Sequence, residues 1–180
     1  MPVTDALGTV AFVVIALLAA VSDVRTRRIP NRLTVTGLAV FLLLRAPLGW
    51  HSLLQGVEGA ALGLGIGLAL FMLGGLGAGD AKLLAAVGAF FGPSEFFGAF
   101  AITAVVGAVF ALVDAARRGV LLLLFLQLVD VGGYLRSATR GDAAGRVTSG
   151  SLRLPYGVPI AIGGIVWKFA GAAIMGALFT

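Results

Sequence analysis

Along the chain, long apolar runs alternate with short polar breaks rich in arginine. Ala6 to Val21 is apolar throughout and closes on Ser22-Asp23-Val24-Arg25-Thr26-Arg27-Arg28-Ile29-Pro30-Asn31-Arg32. Leu33 to about Leu48 predicts a second helix, ended by Pro47, Gly49, Trp50 and His51. Trp50 suits a membrane–water interface, and Arg45 can snorkel to the same boundary. A third run, Leu53 to Leu76, is broken only by Gln55 and Glu58 and leads into Gly77-Ala78-Gly79-Asp80-Ala81-Lys82. Leu83 to Phe91 forms a fourth apolar segment before Gly92-Pro93-Ser94-Glu95. At about 1.5 Å per residue it falls well short of a hydrocarbon core of roughly 30 Å. Either its helix begins upstream near the glycine-rich turn, or the bilayer thins there. Phe96 to Val113 and Pro159 to Leu178 supply a fifth and a sixth span.

Val120 to Val131 is apolar but short, with Arg117 and Arg118 before it and Arg136, Arg140, Arg146 and Arg153 after it. Basic residues on both flanks favour an interfacial or re-entrant helix, the alternative being a seventh span.

Composition turns these runs into a membrane protein. With 59% hydrophobic and 12% charged residues, and a mean hydropathy of +1.07, too little polar surface exists to cover a soluble core. The expected fold is all-α: a polytopic membrane helical bundle of six transmembrane helices plus an interfacial amphipathic segment, forming a single domain over residues 1–180. The 27 glycines suit close helix packing in lipid. The first run lacks a basic n-region and a small-residue cleavage site, so it reads as a retained helix. There is no cysteine and a single histidine, His51, which excludes thiol chemistry and argues against a metal site. No metal and no cofactor are expected.

The net charge of +5 would fit nucleic acid only if a basic groove existed. Instead, six spans place Arg25, Arg27, Arg28, Arg32, Lys82 and the arginines of 114–153 on one side of the membrane. Of the 13 basic residues only Arg45 and Lys168 fall elsewhere. By the positive-inside rule that side is the cytoplasm, with both termini outside. Asp23 and Asp80 lie on the same side. Two carboxylates that approach closely cannot both ionise cheaply, so a pair holds one proton near neutral pH, as aspartic hydrolysis requires. The plainer reading is boundary residues, Asp23 paired with Arg25, Arg27 or Arg28 and Asp80 with Lys82.

Three motifs together resemble the type IV prepilin peptidases, including the short Tad-type and preflagellin-type members. They are Asp23 followed by Ile29-Pro30-Asn31, the turn Gly77-x-Gly79-Asp80-x-Lys82, and Pro155-Tyr156-Gly157 entering the last helix. The resemblance implies that Asp23 and Asp80 are the catalytic pair of an aspartic endopeptidase in the inner membrane. It implies a prepilin-like protein substrate with a short basic leader, a Gly before the cut and a hydrophobic helix in the lipid bilayer, and no nucleic acid partner. Around the pair, Gly77 and Gly79 would admit substrate backbone or simply pack. Pro30 and Asn31 would restart the second helix, with Asn31 as a cap. Lys82 would either stabilise Asp80 or anchor its helix at the interface. Longer family members carry a Cys-x-x-Cys region linked to N-methylation; no such N-terminal Cys-rich region is expected here. Lys168, inside the sixth run, is expected to be structural, paired with Glu58 or snorkelling. Two rival readings are a small transporter or channel and a non-catalytic subunit of a pilus assembly.

Overall fold

The computed structural model describes residues 3–117 and 155–178, and every regular element in them is helical. The helices are α1 (Val3–Thr26), α2 (Asn31–Arg45, continued by a 3-10 turn, Ala46–Leu48), α3 (Trp50–Met72), α4 (Ala78–Phe91), α5 (Pro93–Arg117) and α6 (Gly157–Leu178). All but α4 are long and apolar enough to cross a membrane. Large apolar side chains such as Leu43 and Met72, 71% and 84% exposed, form the outward face. Such a face is stable against lipid and costly against water. The chain is thus an integral membrane helical bundle. The expected interfacial segment 120–131 lies outside the described residues. Two compact units are present, Met1–Gly107 with Pro155–Thr180, and Ala108–Leu154. All packing described below belongs to the first.

The breaks between helices follow from local chemistry. After α1, Arg27 takes a left-handed φ of 53° and returns its N–H to the Asp23 carbonyl at 2.8 Å. Ser22 Oγ and Thr26 Oγ1 each donate to the Arg28 carbonyl at 3.0 Å, which fixes the reversal before Pro30. Pro30, extended with ψ 134°, occupies the cap position of α2. Gly92, at φ 76°, stops α4, and Pro93 opens α5 at the one helical position where a missing N–H costs nothing.

The fourth segment resolves in favour of an upstream start. Its helix begins at Ala78, so Asp80 lies in the first turn and not in a preceding loop. At 14 residues α4 is still only about 21 Å long. It survives because it is enclosed, packing against α1, α2, α3 and α6. Ala81 and all residues from Leu83 to Ala89 are buried. On the α3 side, Gly59, Gly63 and Gly67 recur every fourth residue. A Cβ on Gly59 would run into the Gly88 carbonyl oxygen, and one on Gly63 into that of Leu84. The two backbones therefore touch, giving dispersion contacts that replace a hydrophobic drive absent in lipid. At the far end of α4, Phe90 stacks on Phe12 at 4.4 Å between centroids, and Phe41 packs at 5.2 Å.

Arg45 does more than snorkel. Its Nε donates to the Ala89 carbonyl at 2.9 Å, Nη2 to that of Phe90 at 2.8 Å, and Nη1 to that of Ser52 at 3.0 Å. It thereby satisfies carbonyls at the C-terminus of α4, where a cation also meets the negative end of the helix dipole.

Candidate active site

Asp23 occupies the last turn of α1 and Asp80 the first turn of α4. Both side chains are buried, 6% and 7% exposed. Each is oriented by one backbone amide. The Gly77 N–H donates to Asp80 Oδ2 at 2.9 Å, the return half of a capping box closed on the residue before α4. The Gly157 N–H, at the start of α6, donates to Asp23 Oδ2 at 2.7 Å.

Ile29 joins the two halves. A Cβ on Gly79 would lie 3.2 Å from Ile29 Cβ, and one on Gly157 would lie 3.2 Å from Ile29 Cδ1 and 3.0 Å from Asp23 Oδ2. The turn that carries Asp80 and the amide that holds Asp23 thus both close on the Ile29 side chain, at distances tight for any residue with a Cβ. The carboxylates feel each other. Burial, opposed by the Gly77 hydrogen bond and reinforced by the Asp23 charge, pushes the Asp80 carboxyl up to about 6. Tyr156, adjoining Gly157, packs along the line of Gly107 in α5. Its phenol is pushed above the usual value by burial and by the nearby Asp80 charge.

The remaining expected residues gather at this end. Lys82 does not contact Asp80; its Nζ donates to Asn31 Oδ1 at 2.8 Å, tying α4 to the start of α2. Asn31 is accordingly not a cap. It is the first residue of α2, whose cap position is Pro30 with no side-chain hydrogen bond. Asp23 finds its hydrogen-bond donor in Gly157. The sequence motif at 155–157 marked that segment, but nothing in the residue types reveals that a backbone N–H would be the functional group. Ile29 likewise gives no sign of its place between the two carboxylate-bearing turns.

Two buried carboxylates, one from α1 and one from α4, thus lie at one end of a polytopic helical bundle. Comparison with known families gives the class directly: residues 10–112 match the type IV leader peptidase family. The match covers more than half of the chain and both carboxylates, and the chain belongs to that family. It is a peptidase and an integral membrane protein. No curated protein and no solved structure matches it.

Proposed function

We propose that the protein is an aspartic endopeptidase that removes the short basic leader from prepilin-like precursors, with Asp23 and Asp80 sharing the catalytic proton. One observation carries this reading: two buried carboxylates from α1 and α4 come together at one end of the bundle, each held by a backbone N–H. In the reaction the ionised member takes a proton from water as its oxygen adds to the scissile carbonyl carbon. The protonated member hydrogen-bonds to the carbonyl oxygen and protonates it. On collapse, the C–N bond breaks, the departing amine receives the proton taken from water, and the second carboxylate recovers its own. The pair ends as it began, with one proton.

An Asp80 carboxyl held up to about 6 brings the protonated member within reach of neutral pH. Arg25, Arg27, Arg28, Arg32 and Lys82 cluster in sequence around this end, which supports a cytoplasmic site in the inner membrane with both termini outside. There the site meets a substrate whose leader leaves lipid just ahead of its hydrophobic helix. Gly77 and Gly79 serve the packing of the turn, since a Cβ on Gly77 would lie 3.0 Å from Asp80 Oδ2 and one on Gly79 3.2 Å from Ile29 Cβ.

The test uses purified protein and a pilin-like precursor, comparing wild type with Asp23→Asn and Asp80→Asn, each checked for an unchanged helical spectrum and elution volume. Loss of a catalytic carboxylate predicts at least a ~10²-fold drop in cleavage for both. Cleavage persisting in either folded variant would defeat the dyad. Full loss in both separates a peptidase from a transporter or scaffold.

A further inference from the structure

At the end of the bundle away from the carboxylates lies a cavity of about 210 Å³, walled by Arg45, Glu95, Lys168, Phe90, Leu44 and Leu48 among others. Its walls come from α1, α2, α4, α5 and α6, so it is formed by tertiary packing and not by any one helix. Its depth is unusual. Phe90 follows Asp80 by ten residues along α4, and Lys168 follows Gly157 by eleven along α6, so each lies only about 15–16 Å from the carboxylate level. The two meet there: Lys168 Nζ sits 5.4 Å from the Phe90 ring centroid. A hydrocarbon core is roughly 30 Å thick, so the Lys168 ammonium occupies a level that lipid tails would ordinarily fill.

Among the described residues Lys168 forms no ion pair; the contact it makes is with the ring face of Phe90. Arg45 directs its donors to the carbonyls of Ala89, Phe90 and Ser52, and its charge also interacts with that of Glu95 on the same wall. The expected pairing of Lys168 with Glu58 is not formed. Glu95 supplies the one carboxylate on the wall, while Leu44 and Leu48 continue it as an apolar surface. A cavity with an ammonium that forms no ion pair among the described residues, a guanidinium facing a carboxylate, and an apolar wall is complementary to a phosphodiester linked to a primary ammonium and to acyl chains.

We propose that this cavity binds the headgroup of an amine-bearing zwitterionic phospholipid from the leaflet opposite the carboxylates, Lys168 taking the phosphate and Glu95 the ammonium. A lipid drawn inward at this point also gives the short α4 its polar boundary, since the bilayer need then thin only locally. Phosphatidylethanolamine offers Glu95 three N–H donors, phosphatidylcholine offers none, and phosphatidylglycerol offers no positive charge.

The experiment measures lipid retained on the purified full-length protein by native mass spectrometry, after exchange into detergent containing equal amounts of the three lipids. Thermal melting with inorganic phosphate alone, and with phosphate plus ethanolamine, provides the water-soluble arms. The expected result is preferential retention of phosphatidylethanolamine. Losing one charge-assisted hydrogen bond predicts about tenfold weaker retention in Lys168→Met, with Lys168→Arg near wild type. Glu95→Gln should retain phospholipid but lose the preference for the ethanolamine headgroup. Equal retention of ethanolamine and choline lipids by wild type, or a preference untouched in both Lys168→Met and Glu95→Gln, overturns the proposal. Stabilisation by inorganic phosphate equal to that by the lipid overturns it also, by assigning the cavity to a free anion.

Discussion

Asp80→Asn replaces one carboxyl oxygen by an amide nitrogen, keeps an acceptor for the Gly77 N–H and removes the ability to ionise. The structure sets the size of the effect. Burial and the Asp23 charge raise the Asp80 carboxyl from 3.8 to about 6, against the opposing Gly77 hydrogen bond. At 1.36 kcal/mol per pH unit, ionising it in the fold costs about 3 kcal/mol more than in the unfolded chain. Below pH 3.8 both states hold the proton and the cost is absent. Between 3.8 and about 6 the unfolded chain ionises first, so folded stability falls as pH rises, and the loss is complete above about 6. Asp80→Asn is spared this loss. It should therefore melt higher than wild type at pH 7.5, by on the order of 10 °C for a chain of this size. Near pH 4 the two should converge. The assay is thermal unfolding in detergent across pH 4 to 8, with cleavage measured in parallel. A variant that melts no higher than wild type at pH 7.5, or a gap that does not vary with pH, refutes the claim that burial of this carboxyl stores free energy at the site.

Gly157→Ala puts a Cβ 3.0 Å from Asp23 Cβ and Oδ2 and must displace the carboxylate or Ile29. Cleavage should fall roughly 10-fold through kcat, with KM little changed, because a shift of a few tenths of an ångström in the carboxylate acts on the chemistry; steady-state kinetics on a pilin-like precursor check it, and a change confined to KM counts against a positioning role. Arg45→Met leaves the carbonyls of Ala89 and Phe90 without their guanidinium donors and should lower stability by about 3 kcal/mol, seen as a depressed melting temperature in detergent.

The spans and the three motifs were legible in the sequence because each is a local property: an apolar run, a turn composition, a fixed residue order. α4 was harder to read. A window of hydropathy expects a span to be long, whereas α4 is short and kept in place by neighbours on all sides, with α3 glycines admitting its backbone. That enclosure is tertiary, and no single stretch of chain encodes it. The site shows the same division. Asp23 and Asp80 stand out as acidic residues at the borders of apolar runs, yet the groups that orient them are peptide N–H groups, which every residue except proline possesses. Lys82 and Asn31 were identifiable as belonging to this region; that they bond to each other depends on how α2 lies beside α4. Arg45 carried a charge visible in sequence but not its use, since the carbonyls it binds lie 44 and 45 residues away.

The amide that holds Asp23 belongs to Gly157, the first residue of α6. During synthesis both acidic residues leave the ribosome long before this helix does, so the nascent chain carries its reactive groups without the donor that aims one of them. Under the proposed dyad, a chain stopped upstream of Gly157 would therefore lack this donor and should cleave a pilin-like precursor more slowly than the full chain.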